Sequence, residues 1–206
     1  MPSPLSIDRF FELLTKFGDQ GFVLPFVLAV GAVLWHGQAR RETIWWFVAT
    51  GAALGGVLML KLVFVPCGHL LPGWDIRSPS GHSASAFAAF GGFAVLEAKF
   101  RRNIWVKAAL LGGGLAFAAL IAVSRLVIQV HSVPEVLLGS FVGLIAPVLL
   151  LFVVTPDARR NLADPLGLAP LLPLALLLIF DGRTLPVEEQ VSILALKIAH
   201  LLGVCI

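Results

Sequence analysis

Two polar stretches hold the residues able to do chemistry: Arg77-Ser78-Pro79-Ser80-Gly81-His82 and, downstream, Ser124-Arg125 with His131 and Glu135. Both interrupt segments that are otherwise apolar. Two Arg, two His and a carboxylate at membrane depth are costly to keep, so they are a functional-site candidate by default. Ser78 followed by Pro79 reads as an N-cap and the first helical residue. The N–H groups of Ser80, Gly81 and His82 would then be free at a helix start, which favours an anion and phosphate above all. Gly81 lets an oxygen come close to the backbone, Ser80 adds a hydroxyl, and His82 can give or take a proton. Arg125 offers a planar fork for phosphate oxygens. His131 and Glu135 are four apart, which makes them neighbours on one face or across a first helical turn. A carboxylate on one imidazole nitrogen fixes the tautomer and makes the other nitrogen the better nucleophile.

The elements that must position these groups belong in lipid. Of 206 residues, 58% are hydrophobic and 13% charged, with a mean hydropathy of +0.94. That is not a soluble composition. The length suits one bundle of about six spans at about 20 residues each. The expectation is an all-α integral membrane bundle, a single domain over residues 1–206. Residues 1–20 form an interfacial amphipathic helix, with Phe10, Phe11, Leu13, Leu14 and Phe17 opposite Asp8, Arg9, Glu12 and Lys16. Six spans fall within 22–180, at about 22–35, 44–65, 80–96, 104–123, 133–154 and 166–180. A last apolar helix, 191–206, is interfacial or peripheral. The third span is rich in Ala, Gly and Ser, which lets backbones approach closely. The Gly112-Gly113-Gly114 run is read as a packing feature.

The formal net charge is +3. No basic stripe with interleaved aromatics accompanies it, so nucleic acid is not expected as a partner. The basic residues gather after the first, third and fifth spans: Arg40, Arg41, Lys99, Arg101, Arg102, Arg159 and Arg160. Trp35, Trp45, Trp46 and Trp105 fall at the same face. The positive-inside rule makes that face cytoplasmic and puts both polar stretches outside. Cys67 and Cys205 are too few and too far apart for a metal motif or a disulfide framework and read as unpaired thiols.

Pro79-Ser80-Gly81-His82, then Ser124-Arg125, five residues, His131, three residues and an acid, resembles the type 2 phosphatidic acid phosphatase family. The resemblance runs from Lys61 to Glu135. It implies an integral membrane lipid phosphatase that works without a metal or other cofactor. His131 would attack phosphorus and form a phosphohistidine, Glu135 would orient it, and His82 would protonate the leaving group. Lys61, Arg77, Ser80, Gly81 and Arg125 would hold the phosphoryl oxygens. The substrate would be a phosphate monoester or pyrophosphate of a lipid, such as undecaprenyl pyrophosphate, phosphatidic acid, phosphatidylglycerol phosphate or a lipid A phosphate. The expected place is the inner (plasma) membrane, multi-pass, with the site facing the periplasm or exterior.

The chain departs from the family pattern twice. Glu135 stands where the family usually has Asp, one methylene shorter. The family's first motif has an Arg seven residues after its Lys, where this chain has Gly68; Arg77 is the candidate replacement. Three other readings remain: lipid-to-lipid phosphotransfer at the same site, a metal-dependent hydrolase ligated by His82, His131 and Glu135, and a non-enzymatic lipid-binding protein with a degenerate site. Lys61, Arg77 and Arg125 would repel a cation and suit a phosphate, which weighs against the metal reading.

Overall fold

The computed structural model describes residues 7–67, 76–155, 169–171, 174–175 and 187–205. Regular structure among them is helical throughout. Helix α1 (Ile7–Thr15) passes through a 3-10 turn (Lys16–Gly18) into α2 (Gln20–His36), followed by α3 (Arg40–Cys67). Helix α4 (Gly81–Ala86) continues through a π-helical turn (Phe87–Gly91) into α5 (Gly92–Phe100). Then come α6 (Ile104–Val127), α7 (Val133–Gly143), α8 (Ile145–Val153) and α9 (Val187–Leu202).

Helices α3, α6 and the α7–α8 pair are long and apolar enough to cross a membrane, at 28, 24 and 21 residues. The α1 and α2 region, bent by 46° near Asp19, makes a fourth span if the two parts are taken together. Six are therefore not counted among the described residues. The span expected at 166–180 lies largely outside them, and Arg159 and Arg160 lie outside them altogether. The span expected at 80–96 does form a helix, α4–α5, but it is the buried centre of the bundle. Its run of Gly, Ser and Ala presents little side-chain volume, and α3, α6, α7 and α8 all pack around it. Where lipid-like surroundings weaken the hydrophobic drive between helices, close backbone approach and dispersion must hold them together.

Two glycines of α7 make that approach possible. A Cβ on Gly139 would run into the backbone carbonyl of Ser80, and one on Gly143 into that of Ala84. Of the 112–114 run, Gly114 packs against Ala94 and Phe90 of the central helix, whereas Gly112 and Gly113 face open space. The packing reading therefore holds for one of the three. Beneath the polar end of α4, Phe17, Phe22, Phe26, Phe90 and Phe117 form a chain of edge, tilted and stacked ring contacts. Helix α1 leans on α6, with Leu14 buried in a cluster with Ala118 and Ile121. Large apolar side chains such as Met59, Val63, Trp105, Phe141 and Phe152 point outward, more than half exposed. Such a surface suits lipid.

Among the described residues, the basic loop side chains gather at one end. Arg41 Nη1 donates to Thr155 Oγ1 at 3.3 Å, Lys99 Nζ to the carbonyl of Leu151 at 2.8 Å, and Arg40 stacks over Trp35. Cys67, Gly81, Arg125 and Val133 are all at or near the opposite ends of their helices.

Cys67 and Cys205 are joined by a disulfide across 138 residues, with Cα atoms 4.8 Å apart. This corrects the reading of them as unpaired thiols. Helix α9 packs along α3, which brings the two ends together; sequence spacing carries no trace of that.

Candidate active site

The polar start of α4 is set two residues later than expected. Ser80, not Ser78, is the N-cap, and its hydroxyl accepts from the backbone N–H and the hydroxyl of Ser83. The preceding residues are held out of the helix by α7. The backbone N–H groups of Arg77 and Ser78 both donate to Glu135 Oε1 at 2.7 Å, and that of Ser80 donates to the Glu135 carbonyl at 3.0 Å. Three anchors to one residue outweigh the local preference for Ser-Pro as a helix start.

Glu135 also serves its own helix. Its Oε2 accepts the backbone N–H of Ser132 at 3.1 Å, closing the first turn of α7. The same oxygen lies 2.9 Å from His131 Nδ1. His131 sits just before the N-cap, outside the helix proper. Placed so, Nδ1–H is committed to the carboxylate, and Nε2 carries the lone pair. Burial lowers the pKa of His131 below its ordinary value; the hydrogen bond to Glu135 and the charge of Glu188 work against that, and Arg125 adds to it. The neutral imidazole is thus favoured.

The structure brings Lys61, Gly81, His82, Arg125 and His131 around one small space. A carboxylate that the sequence reading missed occupies it: Glu188, in the first turn of α9. Lys61 Nζ is 3.2 Å from Glu188 Oε1, His82 Nδ1 3.5 Å from the same oxygen, and Arg125 Nη2 3.5 Å from Oε2. His131 Nε2 lies 4.0 Å from Oε1. Lys61 and Arg125 are buried, at 5% and 8% exposure, and so would be costly without an anion between them. Arg125 is fixed from behind by Thr15, whose hydroxyl accepts from Nη1 at 3.0 Å.

A second missed carboxylate, Asp19, stands on the far side of His82, with Oδ2 3.8 Å from Nε2. It caps α2, accepting the N–H of Gly21 at 2.7 Å. Its place at the α1–α2 bend turns it inward, where it is buried. Neither acid carried a sequence signal of its own. Asp19 lies among the other charges of the first 20 residues, and Glu188 with Glu189 looks like the ordinary acidic first turn of a helix.

Ser80, fully buried with its hydroxyl bonded to Ser83, does not contact Glu188, and Arg77 is placed differently from Lys61, Gly81 and Arg125. Its backbone N–H is used by Glu135, while its side chain is exposed. It lines a separate polar cavity of about 350 Å³ with Gln129, His131, Ser132 and Glu135. A second cavity, about 220 Å³ and largely apolar, opens from Lys61, Gly81 and His82 toward Leu24, Leu54, Leu58 and Val191. Among the described residues no group of three or more His, Cys, Asp or Glu side chains is arranged to hold a metal ion.

The chain is similar to known proteins. The pattern of the PAP2 superfamily matches residues 61–160, which spans Lys61, His82, Arg125, His131 and Glu135. A Klebsiella pneumoniae protein described as an uncharacterized 22.5 kDa protein in the cps region is 30% identical over 194 residues, covering 92% of each chain. No solved structure matches.

Proposed function

The chain belongs to the PAP2 superfamily, whose members have phosphatase-type activity, and from that premise we propose that it is an integral membrane lipid phosphatase working through a phosphohistidine. One observation carries the reading. His131 is hydrogen-bonded to Glu135 through Nδ1 while its Nε2 faces an anion seat formed by Lys61, His82 and Arg125.

With a phosphoryl group in that seat, His131 Nε2 attacks phosphorus and the bond to the leaving oxygen breaks. Glu135 keeps Nδ1–H in place and stabilises the positive charge that develops on the ring. His82 gives its proton to the leaving alcohol or phosphate. It then takes one from the water that attacks the phosphohistidine, which releases inorganic phosphate and restores neutral His131. Lys61, Arg125 and the backbone at Gly81 neutralise the phosphoryl oxygens. Phosphoryl transfer asks a protein mainly for such positioning and charge stabilisation.

The apolar cavity beside Lys61 and His82 suits the first part of a lipid tail. The Cys67–Cys205 disulfide favours an oxidising compartment at the site's end of the bundle. The basic residues at the other end favour the cytoplasm there. Both support a site on the outer face of the inner or plasma membrane.

The test is phosphate release from a panel of lipid phosphates and pyrophosphates in detergent with excess chelator. Release by the wild type that vanishes in His131→Ala is the expected result, and the fastest lipid names the substrate. Activity abolished by chelator would replace this reading with a metal-dependent one.

A further inference from the structure

The group held by the cradle is part of the chain itself. Glu188 contacts Lys61, His82 and Arg125 and faces His131 Nε2. Its Oε1 also lies over Gly81, where an added Cβ would meet it at 2.9 Å. A carboxylate and a phosphoryl group present oxygens of like charge to the same donors, so the two compete for one space. We infer that Glu188 is an internal occupant of the phosphoryl seat, and that the first turn of α9 is a gate that withdraws when a phosphorylated substrate binds. The inference rests on the phosphatase reading.

Three further observations fit a gate. The first turn of α9 forms one wall of the apolar cavity, through Val187, Glu188 and Val191, with Leu54 and Leu58 of α3 also lining it. Glu188 therefore stands where the tail space meets the anion seat. Second, the seat holds donor capacity that the carboxylate leaves unused: Arg125 Nε is buried without a hydrogen-bond partner. A tetrahedral phosphoryl group has one more oxygen to offer than a carboxylate. Third, the other end of α9 is secured. Cys205 is bonded to Cys67 at the end of α3, and Ala195 and Ala199 are buried while α9 packs on α3. The first turn can swing while the helix stays attached.

Burial works against the charged form of Glu188, but His82, Lys61 and Arg125 together hold its pKa well below the ordinary carboxylate range. Mild acid therefore leaves it ionised, and a competing anion is what displaces it.

The test uses the full chain in detergent and inorganic phosphate as the probe. An occupied seat reduces apparent affinity by the fraction of time it is closed. Glu188→Gln should therefore bind phosphate more tightly than wild type, by about tenfold or more if the gate is closed most of the time. In the wild type, saturating phosphate should speed hydrogen exchange over residues 187–192. Equal or weaker binding by Glu188→Gln overturns the gate, as does exchange that is unchanged or slowed. If the wild type hydrolyses a lipid phosphate while the variant binds phosphate equally, only the gate fails. If neither protein binds phosphate and no lipid is hydrolysed, the phosphatase reading falls with it.

Discussion

Glu135 Oε2 lies 2.9 Å from His131 Nδ1, while Oε1 of the same carboxylate lies 2.7 Å from the backbone nitrogens of Arg77 and Ser78. One side chain thus orients the proposed nucleophile and ties the two polar stretches together. Glu135→Gln removes the charge and can present only one acceptor oxygen. We expect kcat to fall by about a thousandfold or more, as when the acid of a catalytic triad becomes an amide. Glu135→Asp keeps the charge but is shorter, and should retain more activity than the amide. Comparing kcat of the two variants in detergent, with circular dichroism to confirm folding, checks this.

The pH profile should show a low acid limb. The proposed nucleophile is the neutral form of His131, and burial depresses the pKa of that ring. As pH falls, kcat/KM should therefore decline with a midpoint below about 6.5, the ordinary histidine value. Glu135 and Glu188 both raise the pKa of His131. Removing either charge should move the midpoint lower still. A midpoint that rises in Glu135→Gln or Glu188→Gln would assign the limb to another group.

Asp19 faces Nε2 of His82 from the side away from Glu188. It can hold the ring so that Nδ1 points at the leaving oxygen. Asp19→Asn preserves an acceptor for Gly21 N–H and removes the charge. The expected loss is about tenfold or more in kcat with a poor leaving group, within the range general-acid catalysis supplies. It should be much smaller with p-nitrophenyl phosphate, whose leaving group needs no proton. Equal losses on both substrates would make Asp19 purely structural.

Gly139 tests how the site is held. Its missing Cβ lets the Ser80 backbone lie directly on α7. Gly139→Ala should force the loop before α4 away from Glu135, costing about 1–3 kcal/mol of stability and most of the activity. Gly113→Ala, which meets nothing, should be neutral or slightly stabilising. Thermal unfolding of both variants in detergent gives the comparison.

The residues in the two contiguous motifs were legible because chemistry and spacing coincide there. Ser80, Gly81 and His82 sit within one turn, and His131 and Glu135 across another. Lys61 carried a weaker signal, a lone lysine near the end of a long apolar helix. Glu188 and Asp19 could not be found that way. They reach the site through the docking of α9 on α3 and the bend before α2, and each resembles an ordinary helix-start acid. The disulfide escaped for the same reason. The capping position was misread because the tertiary bonds from Glu135 override the local Ser-Pro signal. The central place of α4–α5 was only hinted at by its small residues, since composition shows that a helix can pack closely but not how many neighbours it will have.

The most direct test of the account is to identify the phosphorylated residue. Wild type would be mixed rapidly with a hydrolysable lipid phosphate labelled in the phosphoryl group, quenched under alkaline conditions and mapped by mass spectrometry. The account predicts label on His131, stable to alkali, lost in acid and absent from His131→Ala. Label on another residue, or turnover undiminished in His131→Ala, would contradict it.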